Sequence, residues 1–325
     1  MSRISIPGYL RQRYIFRPLG PISPAEYAGS AWRGAFGHAL RERSCQTGMD
    51  DCEHCSVRHE CAYTYLFETP IARASLRGLN TNAPHPLIIR PLPNAQAHRC
   101  ELELTLIGAA IDHQALVASA MAQAALGGVG RLMTRYQLQA VEYHDGRQWS
   151  DRMPASHPVP TLPRCPEQLM VHMITPLRLK QHEKDRRPSS LTPLLWLLAI
   201  RQRLAQLSLC HASEQGIASA SLPYLREEDC PALRHALRWI ELERYSSRQR
   251  RRHQMGGLFG QMAFSLHGLE DFWPALWHGQ YLHAGRLTVM GMGAYRLETW
   301  QACHAGAGVR SGATLAASSY GEHRP

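Results

Sequence analysis

Lysine is nearly missing from this 325-residue chain: only Lys180 and Lys184 are present, so arginine supplies almost all of the 36 basic side chains. A lysine base is therefore all but excluded from any chemistry the chain performs. Long apolar runs are missing too. The longest, around Leu194 to Ile200, falls far short of the ~20 residues a membrane span needs, and the opening MSRISIPGYLRQRY lacks the apolar core of a signal peptide. A cytoplasmic protein without a membrane partner is expected. Nine cysteines are too sparse for a disulfide scaffold at this length. Four of them crowd into residues 45–61 and call for a metal, while the other five are scattered and read as core residues. Acids are also few, 26, leaving a formal charge of +10. A GC-rich genome would explain the choice of arginine over lysine but not the net charge, and the combination points to phosphate or RNA as a partner.

With 44% hydrophobic and 19% charged residues, the composition is globular and sized for two ordinary domains. Ser23-Pro24-Ala25-Glu26 is a capping box with proline at the first helical position, which predicts a helix from about Pro24 to Arg43. Tyr9 to Arg17, residues 84–91 and residues 100–108 read as strands; an alanine-rich helix follows over 113–126 and a last strand near 136–143. The order β-α-β-β-α-β is that of a ferredoxin-like domain. The second half repeats it in outline, with a strand at 169–178, a helix from the Thr192-Pro193 cap, the run GLFGQMAFSLHG, a helix over 271–283 and a strand at 294–298. LTLIG, helix, GGVGRLMTRYQL in the first half lies over AFSLHG, helix, GRLTVMGMGAYRL in the second. An internal duplication accounts for this; the alternative is two unrelated α+β domains that end alike. The expected fold is α+β: two tandem ferredoxin-like (RRM-like) domains, 1–150 with a four-cysteine insertion at about 44–62, and 166–300 with a glycine-rich loop. The polar, proline-rich stretch 146–166 is the expected linker, and 304–325 an expected disordered tail.

The cysteine segment is C-x6-C-x2-C-x5-C, formed by Cys45, Cys52, Cys55 and Cys61. Four thiolates at such spacing suit a tetrahedral, structural Zn²⁺, with His54 or His59 able to replace a weak ligand; an iron–sulfur cluster or unligated thiols are the alternatives. Residues 244–252 carry Arg244, Arg248, Arg250, Arg251 and Arg252 with Tyr245 among them, and no acid follows until Glu270. The run lies directly before a glycine-rich turn and a strand, where a hairpin could grip an RNA stem through its phosphates; a solvated charged face is the bland reading.

WRGAFGHAL (32–40), the four cysteines followed by YLFETP (65–70), RYSSRQ (244–249) with GGLFG (256–260), and GRLTVMGMGAYRL (285–297) resemble, in this order, the CRISPR repeat-cleaving endoribonucleases of the RAMP superfamily. The resemblance runs from about residue 9 to about residue 298. It implies cutting of precursor CRISPR RNA within each stem-loop repeat and retention of the guide RNA, in possible association with CRISPR effector subunits. It also implies a reaction that needs no metal cofactor: attack of a ribose 2′-OH on the adjacent phosphate, leaving a 2′,3′-cyclic phosphate and a 5′-OH. Such a step needs a base, an acid and cations around the phosphorane. Arginine cannot be the base, so histidine is the expected choice. The residue matching the family's catalytic histidine is His38 on the first helix. Tyr27 and Arg41 lie on its stripe by helical spacing, as does Gly34, whose missing side chain would leave room for RNA backbone. Alternatives for Tyr27 and Arg41 are an aromatic packed on the sheet and a cation near a helix C-terminus; Arg33 and Arg41 are reserve catalytic candidates, and Arg33 is also a candidate RNA contact. The loop with Gly285, Arg286, Gly291 and Gly293 matches the family's signature loop and allows close approach to phosphate or to the facing domain. Two competing readings are a non-cutting RNA-binding subunit of a CRISPR effector complex and a zinc-containing DNA-binding regulator, the latter opposed by the lack of a helix-turn-helix pattern.

Overall fold

The computed structural model describes residues 2–22, 27–70, 83–93, 98–154, 160–181, 184–211, 218–246 and 251–299. The first half contains β1 (Ser2–Ile6), β2 (Tyr9–Pro18), α1 (Ala28–Ser44), β3 (Leu87–Pro91), β4 (Cys100–Ile107), α2 (Gln114–Gly127), β5 (Tyr136–His144) and β6 (Trp149–Ser150). The second contains β7 (Gln168–Met173), β8 (Lys180–Gln181), β9 (Lys184–Asp185), α3 (Pro193–His211), β10 (Ala218–Leu222), β11 (Arg234–Ile240), β12 (Glu243–Ser246), β13 (Arg251–Gln254), β14 (Gly257–Ser265), α4 (Trp273–Leu282) and β15 (Tyr295–Thr299).

One antiparallel sheet has the order β3-β4-β2-β5-β6 and the other β11-β14-β7-β15. If the four principal strands of each half are taken in chain order, both sheets place them second, third, first, fourth, with one helix after the first strand and one after the third. The chain is thus two tandem ferredoxin-like units, and the common permutation is what a duplication produces.

Period-two alternation on β2 explains the layering. Leu10, Tyr14 and Phe16 point to the helical side, where they bury with Trp32, Phe36 and Leu40 of α1 and Met121 of α2. Arg11 and Arg13 point to the other face, toward Glu103 and Glu142. That opposite face is not wholly solvated: Tyr9, Ile88 and Ile107 join the core of the second half, which is built from Val171, Trp196, Phe264, Leu276 and Tyr295. Buried apolar area therefore crosses between the two sheets, and polar contacts follow it. The Arg11 guanidinium lies over the rings of Tyr281 (4.5 Å) and Trp149 (5.1 Å), Tyr9 Oη and His278 Nδ1 share a hydrogen bond of 3.1 Å, and His211 Nε2 donates to the Pro84 carbonyl at 2.6 Å. Burial alone would raise the Glu103 carboxyl, but Arg90 and Arg11 outweigh it and hold it at about 2.

Several expectations shift. The capping box at 23–26 and the tail beyond 300 lie outside the described residues; the described helix starts at Ala28, with Tyr27 before it in extended backbone. The strand expected over 169–178 ends at Met173, because Ile174 and Thr175 turn to bond the Ala294 carbonyl. β11 was not foreseen, nor the pairing of β1 with β10, which joins Ser2 to Leu222. Of the scattered cysteines among the described residues, Cys100 is buried while Cys165, Cys210 and Cys230 are half-buried. In the expected linker, the Pro160 and Pro163 carbonyls accept hydrogen bonds from Trp277 and Trp273 of α4, so this part of the stretch is docked on the second half.

Candidate functional site

On α1 the buried positions Trp32, Phe36, Ala39 and Leu40 define the core face, and Gly34 and His38 fall on the opposite, exposed face. A Cβ added at Gly34 would meet nothing within 4 Å, so the helix surface one turn before His38 is open. His38 is exposed and has no hydrogen-bonding partner among the described residues.

Tyr27 does not join this stripe. Its backbone is extended (ψ 102), which breaks the helical extrapolation, and its side chain is buried against Met255, Met290 and Met292. Arg41 is directed along the helix to the cysteine segment, where Nη2 donates to the carbonyls of Met49 (2.7 Å) and Asp50 (2.9 Å). It serves as a tie at the end of α1. Arg33 stacks over the Phe67 ring at 4.1 Å, and Nη2 reaches the Phe67 carbonyl at 3.5 Å. Phe67 is admitted there by Gly37, whose Cβ would stand 2.3 Å from the ring; the sequence reading had not singled out this glycine.

The glycine-rich loop after α4 wedges between the two halves. Gly291 (φ +87) sits where a Cβ would meet Arg90 Cα at 2.7 Å, Gly285 (φ +77) meets the Arg178 carbonyl at 2.5 Å, and Gly293 (φ +73) the Ala284 carbonyl at 1.8 Å. All three are thus occupied by the protein's own backbone. Of the two roles foreseen, the loop's close approach is to the facing sheet at Gly291, and the glycines are required by packing rather than left open for phosphate. Arg286 is exposed on the same loop. The start of α1 rests on this loop as well: a Cβ at Gly29 would lie 2.0 Å from the Met290 carbonyl oxygen.

The arginine run forms the foreseen hairpin. β12 pairs with β13 in the register Arg244↔His253, Tyr245↔Arg252 and Ser246↔Arg251, while Arg248 and Arg250 lie outside the described residues. Its base closes through the Met255 amide on the Leu242 carbonyl (2.7 Å), and Met255 packs with Tyr27, Met290 and Met292. One apolar knot therefore joins the hairpin base, the glycine loop and the start of α1. His38 lies ~15 Å further along that helix.

Cys45, Cys52, Cys55 and Cys61 border one small cavity together with Arg41 and Thr47. Among the described residues, however, no group of three or more His, Cys, Asp or Glu side chains is spaced to share an ion. Backbone amides of Gly48 and Thr47 hold the Cys45 thiol below its ordinary range, whereas burial raises Cys52. His54 is turned to Asp51, with Nδ1 2.6 Å from Oδ2.

Sequence reading did not single out the histidines of the seam. Burial keeps His278 and His211 neutral down to about 4, and His283, with Arg90 nearby, down to about 3. Nothing in the sequence separates them from the other members of a set of 18.

Residues 6–158 match the family model AF_1859_N, described as an N-terminal domain. Residues 171–295 match the family model of the CRISPR-associated endoribonuclease Cas6. The Cas6 match thus lies in the second ferredoxin-like unit. That unit is similar to the domain of a CRISPR-associated endoribonuclease. The fold is shared with a solved Cas6 product complex at a TM-score of 0.50 and 15% identity, covering 89% of this chain and 99% of that one. A second Cas6 product complex gives 0.49 and 16% over 90% and 99%, and a Cas6-related protein from Pyrococcus furiosus 0.44 and 8% over 90% and 100%. No curated protein sequence matches. The match to an endoribonuclease model speaks against the reading as a DNA-binding regulator, and the described α-helices pack on ferredoxin-like sheets instead of forming a helix-turn-helix. No described helix is long and apolar enough to cross a membrane.

Proposed function

We propose that the chain cuts precursor CRISPR RNA within its repeats by attack of a ribose 2′-OH on the adjacent phosphate, without a metal ion, and retains the guide-bearing product for CRISPR effector subunits. The 2′-oxygen bonds to phosphorus as the P–O5′ bond breaks. The 2′-OH proton passes to a base, the departing 5′-oxygen receives a proton from an acid, and the products are a 2′,3′-cyclic phosphate and a 5′-OH. His38 is the side chain proposed for one of these transfers, since an imidazole ring has one nitrogen that can accept a proton and one that can donate it.

One arrangement carries this reading: an exposed histidine on the solvent face of α1, with an open glycine one turn before it. The same helix is pinned at its start to the glycine loop and the base of the arginine hairpin. RNA held by the hairpin arginines would extend over that face, where Arg286 and the charged hairpin supply cations to the phosphorane. Arg41 is left out of the chemistry because its guanidinium is engaged with two loop carbonyls. Tyr27 is assigned to anchoring α1.

The test is a repeat RNA incubated with the protein in EDTA. Cleavage to 2′,3′-cyclic phosphate and 5′-OH ends, lost when the scissile nucleotide carries 2′-hydrogen, is expected. Cleavage of the 2′-deoxy substrate, or ends bearing 5′-phosphate, would overturn the proposal.

A further inference from the structure

The cysteine segment has no place in the cut just described, yet it is built onto the helix that carries His38. Cys45 is the first residue past α1, its amide bonding back to the Arg41 carbonyl at 2.9 Å. Cys61 opens the helical turn that leads to Tyr65, whose amide bonds its carbonyl at 3.0 Å. Cys52 and Cys61 also pack against the first core, so two of the four thiols are held by apolar contacts. Between the ends, Cys45-Gln46-Thr47-Gly48 makes a tight turn in which Gly48 (φ +67) donates its amide to Cys45 Sγ at 3.3 Å, while Thr47 Oγ1 lies 3.4 Å from Cys55 Sγ. Amides turned onto a sulfur are what a thiolate requires once its proton is gone. The two carbonyls that Arg41 grips, those of Met49 and Asp50, lie in the same turn of chain, so the guanidinium stands beside the cavity that the four thiols border.

We propose that Cys45, Cys52, Cys55 and Cys61 bind one divalent ion of the thiolate-preferring class, Zn²⁺ in the first instance, and that this ion fixes the C-terminal end of α1. Binding converts four thiols to thiolates, forms four metal–sulfur bonds of about 2.3 Å and releases four protons, leaving a site of charge −2 beside Arg41. As they stand, the four thiols border one cavity but are not arranged to hold an ion. Closing them is inexpensive, because the 46–60 segment has no strand or helix of its own to break and Cys45 and Cys55 are outside the core. His54 is not a ligand: it is exposed and paired with Asp51. Only the statement that α1 carries the reacting histidine rests on the proposed function; the metal site stands or falls by itself.

Elemental analysis of the purified full-length chain, prepared without added metal and under reducing conditions, is expected to find about one zinc per chain. Cys52→Ser and Cys55→Ser should each lower that content at least tenfold, and His54→Ala should leave it unchanged. Should the serine variants not fold, wild-type protein exchanged with Co²⁺ keeps the question decidable: a tetrathiolate gives sulfur-to-cobalt charge-transfer bands and tetrahedral visible absorption. Amide exchange over residues 40–45 is expected to slow at least severalfold when Zn²⁺ is restored to stripped protein. Less than a tenth of an ion per chain, before and after incubation with excess Zn²⁺, would overturn the site, as would iron with sulfide in its place. Stoichiometric zinc with unchanged exchange over 40–45 would overturn the role given to it, and none of these readouts depends on whether the protein cuts RNA.

Discussion

Two glycines on α1 should respond to the same substitution in opposite directions. Gly34 lies on the exposed face with nothing within 4 Å of where its Cβ would be, so Gly34→Ala removes a helix-interior glycine at no steric cost and should stabilise the fold by ~0.5–1 kcal/mol. Gly29, also on α1, meets the backbone carbonyl oxygen of Met290 at 2.0 Å. A carbonyl cannot rotate away as a side chain can, so accommodating the methyl requires the helix start to lift from the glycine loop. Overpacking of this kind costs up to about 3 kcal/mol; set against the helix-propensity gain of up to about 1, Gly29→Ala should lose about 2 kcal/mol. Urea titration of both variants followed by circular dichroism measures the two shifts. Function should invert the order at Gly34: if RNA backbone approaches that face, the stabilised variant should bind or cut repeat RNA at least tenfold less well. A Gly34→Ala protein of raised stability and unchanged cleavage would refute RNA contact at that turn, and equal effects at the two positions would refute the packing of α1 on the loop.

Other consequences follow from the seam and the hairpin. Gly291→Ala combines a left-handed φ with a Cβ 2.7 Å from Arg90 Cα and should destabilise by ~2–3 kcal/mol, read as a lower denaturation midpoint. His211, His278 and His283 are held neutral by burial, with folded values at about 4, 4 and 3 against ~6.5 unfolded. Their contribution is present above pH ~6.5 and is lost as pH falls toward 4, on the order of 1–3 kcal/mol each, so unfolding midpoints measured from pH 7 to 4.5 should fall steadily. Midpoints flat across that window would mean the imidazoles are not buried as described. Changing Arg250, Arg251 and Arg252 together to alanine should weaken repeat RNA binding and reduce its salt slope by roughly one per lost phosphate contact; an unaltered slope would return the run to a solvated face.

Much of the scaffold could be read from the sequence because its signals are local. Alanine-rich helices, the apolar runs of β2, β4 and β14 and the Thr192-Pro193 cap all announce themselves within ten residues. β11 was hidden because RHALRWI exposes Arg234, His235 and Ala236 and shows no alternating apolar face. The β1–β10 pair was hidden because each strand is short and its partner lies more than 200 residues away. At the site, His38 was found through the family resemblance, and helical spacing then put Gly34 on the same face, which is the exposed one. Tyr27 was misplaced by the same arithmetic, since one residue of extended backbone before the helix turns its side chain inward to the methionines. The glycine loop was found, but its job depends on what lies opposite, and only the fold brings Arg90 to Gly291. Arg41 looked like a cation on the reactive stripe until the carbonyls of Met49 and Asp50 folded back to meet it.

The proposal that His38 moves a proton in the cut is tested most directly by single-turnover cleavage of repeat RNA with wild-type protein and His38→Ala, with affinity measured in parallel. A positioned acid or base contributes ~10²–10⁴ in rate, so the variant should cut slower by about that factor while binding with nearly the same affinity, because the His38 side chain is exposed and makes no hydrogen bond among the described residues. A variant that cuts at the wild-type rate would contradict the assignment of His38, and wild-type protein that binds repeat RNA and leaves it intact would contradict the reaction itself.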